Sequence, residues 1–390
     1  MKTARVVGAG LSGLAAACCL RDAGFHVVVL EANAGPGGLV GTTTTPHGLV
    51  ERAANAFVWT STTARWFSRL GITPEFPMDV ATRRFIYRDG APRRWPLRPA
   101  ETATMAARLG WSFVRRTLSP GEDESVSAFV RRVAGPAAAE WFISPALQGV
   151  YAASADELSA AAVFGARRLT RGRSATPAGG MSEFINRLHD DLRRRDVEFT
   201  FGAAADFLGG TIPTVICTSA RDAVPLVEPH APRVASALDR IRMNGLETVT
   251  TFFEPADDDL QGFGVLFPSG CGVDALGVLF NTSIFRNRSL LRSETWIYAL
   301  GNATLATTPI DRVVADREVL IGRRTTPVAI YPTRWPRALP VYDQRVTELT
   351  RHLAELPSWL ELSGNYLGQI GVSTLLARAE ATVASLVARH

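Results

Sequence analysis

The first 32 residues restrict this chain more than any other stretch. "ARVVGAG" reads as a strand, "LSGLAAACCLRDAG" as the helix that follows, and "FHVVVLEA" as a second strand. Gly8, Gly10 and Gly13 fall at the strand-to-helix turn in the spacing GxGxxG. Gly8 permits the tight turn, Gly10 lets a pyrophosphate approach the backbone, and Gly13 lets helix and strand pack closely. The helix start at Leu11 and Ser12 offers free N–H groups and the positive end of the helix dipole. Glu31 closes the second strand 18 residues beyond Gly13, where a carboxylate can accept both ribose hydroxyls of a nucleotide. The pattern predicts a βαβ dinucleotide-binding unit within an α/β fold.

At 390 residues the chain has room for about two or three packed units. Its 46% hydrophobic and 20% charged residues indicate a globular protein rather than a disordered one. The net charge is +5, and Lys2 is the only lysine, so nearly all the positive charge is arginine. Such a surface suits carboxylate ligands or anionic lipid head groups. No basic stripe interleaved with aromatics suggests nucleic acid. Cys18, Cys19, Cys217 and Cys271 make no CxxC pair and no metal-ligand spacing, which fits a reducing cytoplasm and no bound metal. The apolar N-terminal run is broken by glycines and leads into a strand, unlike a signal peptide, and no run of about 18 uncharged apolar residues suggests a membrane span.

The βαβ unit continues as "EANAGPGGLVGTTTT", with a second glycine pair, Gly37 and Gly38, and a threonine run. This resembles the FAD-containing amine oxidase and protoporphyrinogen oxidase superfamily, where such a pair lies near the flavin end of the pyrophosphate. That family usually places Arg or Lys after the pair, whereas this chain has Leu39. Further stretches carry the resemblance toward the protoporphyrinogen oxidase branch. "HGLVERAANAF" (47–57) supplies Glu51 and Asn55 but has Ala53 at the usual glycine. "RRFIYRDGAPRRWPLRP" (83–99) reads as a hairpin turning at Asp89-Gly90. The stretch 124–165 ends in a Gly-x-Tyr loop followed by an acidic residue and Leu-Ser: Gly149, Tyr151, Asp156, Leu158 and Ser159. "AGGMSEFINRLHDDL" (178–192) resembles the helix that returns to the FAD domain. "LQGFGVLFPSGCGVDALGVLFNTSIFRNRS" (260–289) resembles two substrate-domain strands, and "RWPRALPVY" with "LSGNYLGQIGVSTLLARAEATVASLV" resembles the closing flavin motif. Between "VEFTFGAAADFL" and "TVICTSA" the family has a β-meander, and here only "GGTIP" intervenes.

The resemblance implies a Rossmann-like FAD-binding domain of the GR2 type, a mixed-sheet substrate domain and a helical insertion. The FAD domain would comprise 1–78, 177–234 and 355–390, the helical and possible membrane-associating part 79–176, and the remaining substrate domain 235–354. FAD would be held non-covalently by Gly8, Gly10, Leu11, Ser12, Gly13, Glu31, Ala32, Gly37, Gly38, Leu39, Ala205, Gly364, Asn365, Gly371 and Val372. The implied activity is oxidation of a porphyrinogen, protoporphyrinogen IX or coproporphyrinogen III, with oxygen as acceptor. The lysine that many amine-oxidising relatives hold near flavin N5 has no counterpart, because Lys2 begins the first strand. A porphyrinogen needs no such base, since a methylene bridge can give a hydride and a pyrrole N–H can lose its proton to solvent.

The implied pocket is wide, apolar and rimmed by cations for propionates. Arg84 is the propionate candidate. Asn55, Tyr151, Leu260, Phe263, Leu266, Leu276 and Phe280 are candidates for the substrate wall, although strand alternation sends neighbours to opposite faces and leaves core packing open for each. Residues 101–119 join Met105, Leu109, Trp111 and Phe113 to Arg108, Arg115 and Arg116, and fit a membrane surface or packing on their own domain. Two other readings stand beside the oxidase: a flavin oxidase or dehydrogenase of another hydrophobic metabolite, and a non-catalytic FAD- and tetrapyrrole-binding protein.

Overall fold

The computed structural model describes residues 2–164, 172–206, 208–256, 260–300, 308–368 and 370–390. The chain opens with β1 (Thr3–Val7), α1 (Leu11–Asp22) and β2 (His26–Glu31). Next come the hairpin β3 (Thr42–Thr45) and β4 (Gly48–Glu51), short β5 (Phe57–Val58), α2 (Ser61–Arg69) and β6 (Pro74–Glu75). β7 (Arg84–Arg88) and β8 (Ala91–Arg93) form the expected hairpin, and both turn residues, Asp89 and Gly90, have positive φ.

Helices α3 (Pro99–Val114), α4 (Val126–Ala134), α5 (Pro136–Ala138), α6 (Ser144–Tyr151) and α7 (Ala160–Phe164) form the helical insertion. β9 (Ser174–Pro177), α8 (Met181–Arg194), β10 (Glu198–Phe201), β11 (Thr214–Ile216), α9 (Ala220–Val227) and α10 (Pro232–Asp239) follow. The second large sheet begins with β12 (Met243–Phe253), β13 (Gly264–Leu266), β14 (Gly277–Phe280), α11 (Asn281–Ile284) and β15 (Arg292–Leu300). After α12 (Pro309–Ile321) and β16 (Ala329–Pro340), the chain closes with α13 (Gln344–His352), β17 (Leu360–Leu362) and α14 (Val372–Val387).

The expected Rossmann-like sheet is present: five parallel strands in the order β10-β2-β1-β11-β17. Its strands come from three separated parts of the chain. Buried on nearly every side, α1 lies against both the sheet and α14, and its small residues Ala15, Ala16 and Ala17 let these layers close up. A Cβ on Gly13 would lie 1.8 Å from Gly8 O, so the close packing of α1 on β1 depends on that glycine. The connection between β10 and β11 has no strand among its described residues, in agreement with the missing meander.

The second sheet has seven strands in the mixed order β16-β12-β15-β14-β13-β7-β8. Its two faces differ in chemistry. Val249, Phe253, Val265, Phe267, Val278, Phe280, Trp296 and Tyr298 share one buried cluster with Val313 and Leu320 of α12. Charges lie in the same layer: buried Glu247 takes buried Arg312 and, from the sheet edge, exposed Arg334, and buried Glu294 takes Arg292 and Arg317. Stacking shelters the cations, with Arg317 4.0 Å over Phe253, Arg292 4.5 Å over Phe280 and Arg312 4.5 Å over Tyr298. The opposite face, carrying Thr248, Thr250, Ser293 and Thr295, turns toward the segment after β4: Thr248 Oγ1 and Trp335 Nε1 both donate to Arg52 O.

A buried ion pair ties the β3–β4 hairpin to the connection that leads into β15. Glu51 at the end of β4 accepts from Arg288 Nη1 at 2.6 Å, from Thr42 Oγ1 at 2.6 Å and from the Met181 N–H at the start of α8. Both partners are buried, so neither charge is screened by water.

Candidate functional site

The phosphate turn is built from backbone. Gly10 precedes α1 in extended conformation, and no acidic residue lies in the first turn of that helix to compete with an anion. Gly37 bridges to Gly10, and its N–H donates to Ala9 O at 2.9 Å, which brings the second glycine pair alongside the first. Gly38 is exposed beside Gly10, whereas Leu39 is half-buried and brings no charge to the loop. Glu31 is buried; one carboxylate oxygen accepts the Ala9 N–H at 2.6 Å and the other accepts from Asn33. Ala32 is exposed next to it. The Ala203 N–H donates to Glu31 O, so half-buried Ala205 follows the same edge of the sheet.

The closing segment meets this edge from the other side. Ser363 leaves β17 with its N–H on Ile216 O at 2.8 Å. Its hydroxyl and that of Tyr366 are buried and have no hydrogen-bond partner among the described residues. Burial pushes the Tyr366 phenol far above its ordinary pKa, so it stays a neutral donor. Gly364 lies under the Tyr366 ring, where a Cβ would be 2.4 Å from the ring carbon. Asn365 donates from Nδ2 to Ala338 O, and its carbonyl accepts from Tyr342, whose ring is 5.2 Å from Tyr151. Gly371 caps α14, whose first residue is buried Val372, and Ser373 binds both Val58 N and Val58 O at 2.8 Å. That clasp holds β5, and with it Asn55, beside the start of α14. Two orphaned hydroxyls, a glycine-lined turn and a free helix N-terminus suit a hydroxyl- and phosphate-bearing group such as FAD.

The wall candidates divide by face. Leu266 lies on the face opposite α12, in line with Ile297, and a Cβ on Gly149 of α6 would be only 2.8 Å from its Cδ2. Phe263 packs against the small cluster of Ala81, Ile284 and Phe285, as Ala56 and Leu279 also do, and the exposed Arg84 guanidinium lies 4.5 Å over its ring. Phe280 is fully buried on the α12 face and Leu260 packs against that same cluster, so these two are not brought together with Leu266, while Leu276 is half-buried just before β14. Asn55 is half-buried, 3.4 Å from the Asn281 amide oxygen, and Tyr151 is buried at the end of α6. Sequence reasoning missed Leu279 and Ile297, both half-buried near Leu266 on the inward face, because their strands are apolar on both faces. It also missed Ser363 and Tyr366, for which adjacency to Gly364 and Asn365 was the available signal.

None of the four cysteines is poised to react. Burial pushes Cys18 and Cys19 up to about 12 and raises Cys217 and Cys271 as well.

The fold and this constellation define a flavin-dependent oxidoreductase. The family described as flavin containing amine oxidoreductase matches residues 11–204, and the chain belongs to that FAD-dependent superfamily. It is similar to protoporphyrinogen oxidase 2, chloroplastic/mitochondrial, of Arabidopsis thaliana, at 25% identity over 96% of this chain and 92% of that one. It is also similar to the coproporphyrinogen III oxidase of Mycobacterium leprae, at 26% identity over 98% of each. Among solved structures, cyclohexylamine oxidase from Brevibacterium oxydans shares the fold with a TM-score of 0.74 and 16% identity over 99% of both chains. The protein binds FAD and acts as an oxidoreductase on a small hydrophobic organic molecule.

Proposed function

We propose that this protein is an oxygen-dependent porphyrinogen oxidase whose substrate lies between the inward face of the seven-stranded sheet and the FAD-binding sheet. One observation carries the reading. The α12 face of the sheet is filled, with Val265, Phe267, Val278 and Phe280 all buried, while Leu266, Leu279 and Ile297 opposite are only half covered. Large apolar side chains on a central sheet are left half covered where an apolar ligand completes the packing. Burying a fully exposed leucine is worth about 1.5–3 kcal/mol, and each of these partly buried side chains offers a fraction of that to a flat apolar macrocycle lying there.

In this reading Leu266, Leu279, Ile297 and Phe263 form the wall, Tyr151 closes the flavin side, and Asn55 lies where substrate and cofactor meet. Arg84, exposed and without a carboxylate partner among the described residues, receives a propionate at the rim. The chemistry that FAD supplies when bound is removal of a hydride from carbon and, later, passage of electrons to oxygen. The chain contributes position and exclusion of water. Lys2, the only lysine, lies at the start of β1 against His390, so no lysine amine is placed to act as a base at the site.

α3 supports a peripheral membrane association. Only Ser112 of this helix is buried, and Trp111, Phe113 and Val114 are 62%, 72% and 75% exposed beside Arg108, Arg115 and Arg116. No helix among the described residues is long and apolar enough to cross a membrane.

Anaerobic mixing tests the substrate. The FAD-loaded protein is expected to bleach when mixed with protoporphyrinogen IX or coproporphyrinogen III, and porphyrin fluorescence should rise once air is admitted. Binding without bleaching would indicate a carrier. Indifference to both porphyrinogens, with bleaching by another hydrophobic metabolite, would overturn the tetrapyrrole reading.

A further inference from the structure

The diphosphate of FAD carries two negative charges, yet the loop from Gly37 to Gly41 and the first turn of α1 contain no cationic side chain. A cation does lie against that loop, and it comes from the far end of the β3–β4 hairpin. The Arg52 N–H donates to Gly41 O at 2.8 Å, extending the pairing of Thr42 with Glu51 by one step. Alternation then sends Arg52 to the face opposite Glu51. Its guanidinium lies flat on Gly41, where a Cβ would be 2.2 Å from Nη2 and 2.5 Å from Nε. The same Nη2 is 3.7 Å from where a Cβ on Gly37 would sit, and Gly37 is the residue bridged to Gly10 of the phosphate turn.

Arg52 is also uncompensated. Arg88, Arg288, Arg292, Arg312 and Arg317 are buried and each meets a carboxylate. Arg52 is half-buried, has no carboxylate within 4.0 Å among the described residues, makes one long bond of 3.4 Å to Val40 O and otherwise has only the Trp335 ring at 6.0 Å, a distance at which a cation–π contact is weak. Its backbone is nonetheless fixed, because Thr248 and Trp335 of the second sheet both donate to its carbonyl. A cation held in place beside a phosphate turn and lacking a counter-ion is organised for an anion.

We infer that Arg52 supplies the cation for the FAD diphosphate, a charge that Leu39 does not bring. The inference rests on FAD binding and not on the identity of the substrate. Gly41 has a part in it, since a side chain there would displace the guanidinium.

Apoprotein titrated with FAD and, separately, with ADP tests this, because ADP carries the diphosphate without the flavin. R52Q is expected to weaken both ligands about tenfold or more and to make their affinities less sensitive to salt, with R52K intermediate. G41A keeps the charge but moves it, and Gly41 is not among the positive-φ glycines, so the backbone accepts alanine. It should weaken ADP as well, and it keeps the test valid if R52Q does not fold. ADP binding at wild-type affinity in a folded R52Q or G41A protein would overturn the inference. A loss confined to FAD would overturn it too, by putting the guanidinium at the isoalloxazine.

Discussion

At the level of single residues the phosphate turn has almost no latitude. Gly13 meets Gly8 O across a gap that a methyl group cannot share, and both atoms belong to backbone that β1 and α1 hold rigid. Gly13→Ala is therefore expected to destabilise the protein by about 1–3 kcal/mol or more and to yield protein purified without flavin absorbance. A melting temperature and visible spectrum like those of the wild type would count against the tight-packing role. This feature was legible in the sequence because Gly8, Gly10, Gly13 and Glu31 act within one βαβ unit, where spacing along the chain fixes spacing in space. Arg52 was not legible. Its relation to Gly37 and Gly41 arises from hairpin pairing, and neither neighbour is unusual as a residue type.

At the level of elements, periodicity locates strands without choosing their faces. The run from Gly264 to Phe267 is apolar on both sides, as is Gly277–Phe280, so the sequence could not separate Leu266 from Phe267 or Leu279 from Phe280. The choice depends on α12, which comes later in the chain and covers one side. β16 shows the opposite problem: Pro332, Pro336 and Pro340 argue against a strand, yet a 12-residue strand forms there, because β16 is an edge that needs few inward donors and because Pro336 falls in the irregularity between Trp335 and Leu339, where the pairing with β12 breaks. α3 is the element whose surroundings are least complete. Its start is well anchored, since Glu101 takes a bidentate bond from Arg88 that, with the Arg98 N–H, holds its carboxyl at about 2. Its far end projects aromatic residues among arginines. Vesicles containing anionic lipid are expected to carry the protein upward in a flotation gradient at low salt, and W111S/F113S should abolish this while leaving FAD binding intact. Equal flotation of wild type and variant would remove α3 as the contact.

For the whole molecule, the question is how the three segments of the chain that build one sheet are held in register with a second sheet. The answer centres on the buried pair of Glu51 and Arg288. Glu51 belongs to the hairpin after the βαβ unit, Met181 to the helix that brings the chain back, and Arg288 to the connection before β15. Arg288 also donates to Thr176 Oγ1 on β9 at 2.9 Å, and Ser289 binds His47 O, so the contact extends beyond one ion pair. Arg288→Met leaves the Glu51 carboxylate buried without its cation. Burial already raises the Glu51 pKa against the pull of Arg288, so loss of the cation raises it further. The variant should lose about 3–5 kcal/mol at neutral pH. The sign of its pH dependence follows from that shift. A carboxyl with a raised folded pKa favours folding when protonated, so the variant should regain stability as pH falls through the raised folded pKa toward the ordinary carboxylate range, and lose it as pH rises. E51L/R288M removes both charges and should recover much of the loss. Denaturant unfolding of the two variants across pH checks the joint: if Arg288→Met is no less stable than E51L/R288M at neutral pH, the ion pair is not what holds the sheets together.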